Sequence, residues 1–476
     1  MRRAVAVLTV AAALVAPSAA QAQESEVVTL LRDLVRVNTS NPPGNEAQVA
    51  ELLAPRLRDL GFEVDIIQTP TAGKAHLVAR LRAANPTERP ILLAGHADTV
   101  GVEPELWSFD PFGGTISGGN LLGRGSLDFK GGLAAFTVAA MRLARSGAPL
   151  DRDVILLSEA DEEGGSYGTR WLADNHWDKI DAGVSLNEGG WIFKDGSGRP
   201  RLLGITTIDK NSLSVTLRTR GTSTHSSRPL PNSAIRRLVR ALNRIENFNT
   251  RPRITPVARR YLRAWANAFD ARRVRRLANT RRAFERFQLA NRLMTRPYGE
   301  LIDGLVRDIY VPTIVDSGFR SNVLPGTAEA TVNMRMLPGT HPRPMIRQLR
   351  RVIGDRRVRV EPIVTPPATV ESTLDSFDER AEQAPSSIDS DLYRSLVAQG
   401  RAQWPGVRAA PALFEAGTDA VPWRERGIPV YGVYPYPIAR ADLVRMHGND
   451  ERVPVAGLEQ GTEWITRVLA DVAVAQ

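Results

Sequence analysis

Glu162 and Glu163 stand side by side in Asp161-Glu162-Glu163-Gly164-Gly165, directly after the apolar run 154–157. Adjacent acids repel, and without a nearby cation one of them takes up a proton. A metal removes the conflict: one carboxylate ligates while its neighbour stays free to act as a general base. Two further apolar runs also end in polar residues. Residues 91–94 lead into Gly95-His96-Ala97-Asp98-Thr99, and 183–186 into Asn187-Glu188-Gly189-Gly190. Ligands gather outside the carboxyl ends of such strands, so polar residues after three of them define a site.

The chain has no cysteine, so any zinc rests on His, Asp and Glu alone. A two-metal site of that kind wants two histidines, two terminal carboxylates and one bridging carboxylate, with the ions about 3.5–4 Å apart. Of the six histidines, His96 and His447 lie in Gly/Asp-rich turns after strands; His76 and His176 read as core or surface residues and His341 as a plain turn.

The elements that must position these groups follow from hydrophobic spacing. Helical periodicity covers residues 24–37, 46–60, 133–145, 392–403 and 458–472, and strands are expected at 62–67, 75–81, 91–94, 154–157, 183–186 and 427–433. Runs apolar on both faces, such as 91–94, belong in the middle of a covered parallel sheet. From about residue 205 the pattern changes to alternating strands with helices between them, which reads as an inserted α+β sandwich. The fold class expected is α/β: a mostly parallel-sheet catalytic domain, residues 23–206 and 366–476, interrupted by a lid or dimerisation domain at 207–365. Residues 365–387, containing Pro and Ser, are expected to lead back to the first domain.

Arg2 and Arg3, an apolar stretch over 4–16 and small residues ending Ala20-Gln21-Ala22 have the layout of a signal peptide, residues 1–22. The mature protein is expected to be secreted or periplasmic, with no integral membrane segment. The formal charge of +10 is concentrated in an arm, residues 251–300, where fourteen arginines face three acids. Tyr261, Trp265 and Phe269 recur there at helical spacing, which reads as a solvated helix covering the insert or as one that meets anionic lipid or an acidic partner. No aromatic-and-basic groove pattern favours nucleic acid.

The motif series Gly95-His96-Ala97-Asp98-Thr99-Val100, Gly123-Arg124-Gly125-Ser126-Leu127-Asp128-Phe129-Lys130-Gly131-Gly132, Asp161-Glu162-Glu163-Gly164-Gly165, Asn187-Glu188 and His447-Gly448 resembles that of the di-zinc metallopeptidases that include aminoacylase, carboxypeptidase G and carboxypeptidase S, most of all the carboxypeptidase S branch. The resemblance implies that His96, Asp128 and Glu188 hold one Zn2+ ion and that Asp128 bridges to a second held by Glu163 and His447, with Co2+ or Mn2+ as substitutes. It implies that Asp98 orients His96, that Glu162 is the general base, and that His225 of the insert stabilises the oxyanion. Asn322 and Arg335 would meet substrate, and Gly417 and Thr418 would line the pocket. The implied partner is a small peptide or N-acyl amino acid, cleaved at an amide bond next to a free carboxylate, with a homodimer formed through the lid. The alternative from another class is a non-catalytic, zinc-stabilised peptide-binding protein, in which an unligated Glu162 would have no task.

Overall fold

The computed structural model describes residues 24–296, 299–365 and 368–475. The expected signal peptide at 1–22 lies outside the described residues, among which no helix is long and apolar enough to cross a membrane.

An eight-stranded sheet organises the chain. Its order is Glu63–Gln68, Ala75–Leu81, Val154–Glu159, Ile91–His96, Val184–Lys194, Val430–Ile438, Pro200–Asp209 and Arg408–Phe414. The four strands from Val154–Glu159 to Val430–Ile438 run parallel to one another, as runs apolar on both faces require. Successive side chains of a strand face opposite ways, and Ile91 and Leu93 accordingly enter one core while Leu92 and Ala94 enter the other. The helices Glu26–Arg36, Lys130–Ser146 and Val455–Ala473 cover the first face, and Thr169–Ile180 with Val421–Glu425 the second.

The insert carries a four-stranded antiparallel sheet, ordered Ile309–Asp316, Thr327–Met336, Asn211–Arg220 and Arg359–Pro362. Thr327–Met336 buries every second residue, the mark of a sheet packed on one face. That face meets Ala234–Glu246 and Pro342–Ile353 in a separate apolar core.

Three elements differ from what the spacing suggests. Pro200–Asp209, at the expected boundary between domains, is a strand of the large sheet. Residues 365–387 are not a plain connection: Val370–Ala381 is helical, its start fixed by reciprocal Thr369 and Ser372 hydrogen bonds. The arginine-rich arm, instead of covering the insert, packs on the large sheet. Its helix Pro256–Ala268 lies against Pro200–Asp209 and Arg408–Phe414, burying Tyr261 and Trp265 in the main core. The aromatic period was visible in the sequence, but the partner that it covers is set by tertiary packing.

Candidate functional site

Each site residue sits where an element ends or bends. Ile91–His96 delivers His96 at its last position. Asp128 precedes the Lys130–Ser146 helix, where Gly132 lets the Phe129 ring lie against the backbone: a Cβ there would stand 2.1 Å from the ring. Glu188 lies inside Val184–Lys194, which is able to bend just beyond it because Gly189 takes φ +150 and passes Thr206 at a distance no Cβ would allow. Glu162 and Glu163 follow Asp161, whose φ of +64 is uncommon for a residue with a side chain. The Asp161 carboxylate holds that turn, its Oδ2 accepting the N–H groups of Ser166 and Tyr167 at 3.0 and 2.6 Å.

Asp128 divides its two oxygens between two groups of side chains. Its Oδ1 lies 3.3 Å from His96 Nε2 and 3.0 Å from the Tyr434 hydroxyl. Glu188 Oε2 joins that group, 3.6 Å from His96 Nε2 and 3.0 Å from Tyr434. Asp128 Oδ2 lies 3.0 Å from His447 Nε2, which in turn is 2.9 Å from Glu163 Oε1. Two His-plus-carboxylate groups therefore meet at one shared carboxylate. His96, Asp128 and Glu163 offer donor atoms all within 4.8 Å of one another. Hard oxygen donors with imidazole suit zinc and neighbouring divalent ions, so the donor set fits a metal pair.

The charge balance fits as well. Burial opposes a positive His96, yet Asp128, Asp98 and Glu188 lift its pKa well above the ordinary value. His447, also opposed by burial, is raised to about 11 by Asp128 and Glu163. Burial, followed by the charge of Asp419, pushes the Glu162 carboxyl well above the usual range. Acids outnumber cations here, and the pocket favours added positive charge.

Asp98 does more than face His96. His96 Nδ1 lies 3.0 Å from the Asp98 backbone carbonyl and 3.6 Å from its carboxylate. The carboxylate accepts the backbone N–H groups of Glu162 and Glu163 at 3.1 and 3.0 Å, so one residue positions both sides of the site. Asn41 donates to Asp98 at 2.8 Å and to Asp161 at 2.7 Å, and Lys74 pairs with Asp161 beneath them.

The other expected residues are distributed unevenly. Arg335 is half-buried; burial disfavours its charge, and the field of Glu162 supports it. Thr418 is buried with its hydroxyl on Asp209 at 2.8 Å, and Gly417 precedes it in the same loop. His225 and Asn322 are exposed: His225 lies opposite Val323 in the short Thr224–His225 and Val323–Leu324 pairing, and the Asn322 carbonyl, just before it, accepts the Ser226 N–H at 2.9 Å. Arg335 pairs with Ser212 at one end of the insert sheet, and Thr327 with Arg220 at the other, next to His225. At 3.2–3.4 Å per residue those ends are roughly 25 Å apart. The structure thus brings the five expected metal ligands together with Glu162 and Asp98, but leaves His225 and Asn322 at the distal end of the insert.

Tyr434, Asn41, Lys74 and the buried Arg124–Glu451 pair were not expected at the site. Only the placement of Arg124 inside a quoted motif hinted at the pair; its contact with Glu451 spans 327 residues.

The sequence model of Peptidase family M20/M25/M40 matches residues 92–471. The chain is similar to a probable carboxypeptidase S-like 2 of Dictyostelium discoideum, 29% identical over 81% of this chain and 72% of that protein. It is similar to the Homo sapiens N-fatty-acyl-amino acid synthase/hydrolase PM20D1, 27% identical over 83% and 76%. In fold it resembles the crystal structure of the M20 family metallo-carboxypeptidase Sso-CP2 from Sulfolobus solfataricus, at 18% identity and a TM-score of 0.69, covering 94% of this chain and 98% of that one.

Proposed function

The chain belongs to the peptidase family M20/M25/M40, and from that membership we propose that it is an exported two-zinc hydrolase of amide bonds next to a free carboxylate, in small peptides or N-acyl amino acids. Enzymes of this family, metallopeptidases and amidohydrolases, act on peptide or N-acyl amide bonds, and both kinds of relative cover most of this chain. The observation that carries the two-metal reading is the division of Asp128 between the His96–Glu188 and His447–Glu163 groups.

His96, Asp128 and Glu188 would hold one ion, and Asp128, Glu163 and His447 the other. Bound there, the pair would polarise the scissile carbonyl and make water a nucleophile near neutral pH. Glu162 takes the proton from the attacking water and returns it to the leaving nitrogen, so that amine departs neutral. Asp98 fixes Glu162 by its backbone N–H and holds His96 through its carbonyl, keeping base and ligand in register. Arg335, near Glu162, receives the substrate carboxylate in a two-pronged hydrogen bond.

His225 stabilises the oxyanion from a second copy of the chain. Its exposed position at the distal end of the insert supports that arrangement. So does the edge strand Ile309–Asp316, whose Ile314 and Val315 are 61% and 60% exposed and can pair with the same strand of another copy.

Glu162→Gln tests the catalytic claim. The variant should keep its metal and lose about 10²–10⁴ in kcat against both dipeptides and N-acyl amino acids. Wild-type rates in a metal-replete variant would remove Glu162 from the chemistry, whereas no hydrolysis by metal-loaded wild-type protein would favour the binding-protein alternative.

A further inference from the structure

The arginines of the arm gather on one outer surface. In the helix Arg272–Asn279, Val274, Leu277 and Ala278 are buried in the main core, and the helix lies against Pro256–Ala268. Arg272, Arg275, Arg276 and Asn279, at spacings of three and four, form the opposite, exposed stripe. Together with Thr280 and Glu285 they line a groove of about 490 Å³. Arg276 Nε donates to Glu285 at 2.8 Å, which ties the start of the next helix, Ala283–Met294, to the stripe.

Little negative charge answers these cations. Among the described residues, Arg276 is the one arginine of the arm in an ion pair. Arg259 donates to the Ala278 carbonyl, Arg263 to the Asn279 side chain at 2.8 Å and Arg286 to the Arg281 carbonyl at 3.1 Å, all of them neutral acceptors. Burial, then the charges of Arg263, Arg286 and Arg281, hold the Arg259 guanidinium below its ordinary value. Phe284 stands at this surface, 76% exposed, between Arg282 and Arg286 in sequence. Helical spacing puts it on the side of Ala283–Met294 away from the buried Leu289, Ala290 and Leu293.

The occupant has to supply negative charge and also take up an aromatic ring. A second copy of the chain would bring like charges together, and an acidic peptide answers the charge alone. The interface of an anionic bilayer offers both, with phosphates at the level of the guanidinium groups and acyl chains just beneath them. We propose that the arm docks the protein on an anionic phospholipid surface: the stripe of Arg272–Asn279, with the exposed Arg281 and Arg282, meets headgroup phosphates, and Phe284 enters the acyl boundary. The arm is then a reversible anchor for a chain in which no described helix is long and apolar enough to span a membrane.

The test is cosedimentation of the metal-loaded mature chain, from residue 23, with phosphatidylcholine vesicles made with and without phosphatidylglycerol, in about 0.15 M salt. Wild type should bind the anionic vesicles and stay in solution with the neutral ones. The double variant Arg281→Gln, Arg282→Gln should bind about thirtyfold more weakly, at about fivefold for each arginine. Phe284→Ser, which leaves the charge unchanged, should bind at least about fivefold more weakly. Acyl chains carrying bromine should quench the emission of Phe284→Trp beyond that of wild type. All three positions are exposed, and circular dichroism shows that the variants are folded. No binding to either vesicle, or equal binding to both, overturns the proposal. Anionic binding that Phe284→Ser leaves unchanged and bromine does not report overturns it too, since the arm is then a plain counter-ion surface. Tighter binding to poly-aspartate than to anionic vesicles would put an acidic protein in the place of lipid.

Discussion

The Glu451 carboxylate accepts the backbone N–H of Asp128 at 3.0 Å through Oε1, while its Oε2 receives Arg124 Nη1 at 2.6 Å. Arg124 also donates to the Gly448 carbonyl at 2.9 Å, one residue from His447. Both members of the ion pair are buried. It ties the loop carrying Asp128 to the loop carrying His447, which are over 300 residues apart in sequence. Glu451→Gln keeps the shape and can still accept from Asp128, but loses the charge that holds Arg124. It should weaken metal retention about 10–100-fold, measured by competition with a chelator at constant pH. Arg124→Met strands a buried carboxylate and should cost about 3–5 kcal/mol of stability. A Glu451→Gln protein that holds metal as tightly as wild type would reduce the pair to a packing role.

The placement of His225 yields a second prediction. Glu162→Ala lacks the base, and His225→Ala lacks an oxyanion donor worth about 10²–10³ in rate, so each should be nearly inactive alone. Mixed in equal amounts and allowed to reassort, about half the dimers are mixed, each with one intact site of two. Activity should return to about a quarter of wild type. No recovery where mixed dimers have been demonstrated, or full activity in a strict monomer, would place the oxyanion donor within a single chain.

A third prediction concerns pH. His76 is fully buried below the Glu162 turn; its Nδ1 accepts the Ala160 N–H at 3.1 Å and its Nε2 donates to the Tyr167 carbonyl at 2.8 Å. Burial lowers its pKa from 6.5 to about 4, although the Tyr167 carbonyl resists. The unfolded chain binds this proton near pH 6.5 and the folded chain near pH 4. Its contribution is thus fully present above pH 6.5 and is lost as pH falls from there toward 4, by about 3 kcal/mol in all. Urea unfolding between pH 7 and 4.5 should show wild type losing stability more steeply than His76→Gln, by up to about 1.4 kcal/mol per pH unit. Parallel slopes in the two proteins would mean that His76 takes up its proton alike in the folded and the unfolded chain.

The reason some of this was legible in sequence and some was not is the range of the interactions. Ile91–His96, Val154–Glu159 and Lys130–Ser146 follow from local apolar period and short motifs, and the parallel sheet follows from runs apolar on both faces. Asp128, Glu163 and Glu188 are visible because chemistry and turn residues coincide in a few positions. Tyr434 carries no local mark, since it lies in a strand buried along its whole length, Val430–Ile438, and only its contacts with Asp128 and Glu188 distinguish it. Arg124 and Glu451 are similar: alone each is a charged residue in a glycine-rich turn, and their meaning is the pairing. The arm shows the same limit at the scale of a helix. Its amphipathic face was evident, but not that it meets the large sheet, where the Tyr261 ring comes within 2.9 Å of the place a Cβ on Gly204 would take.

The measurement that bears most directly on the two-metal centre is the metal content of purified, zinc-loaded protein, by elemental analysis, for wild type and Asp128→Ala. Because Asp128 gives one oxygen to each ligand group, wild type should hold two ions per chain, and Asp128→Ala should lose most of both while remaining folded by circular dichroism. Fully active wild-type protein with one ion per chain, or an Asp128→Ala protein that retains two, would contradict the account.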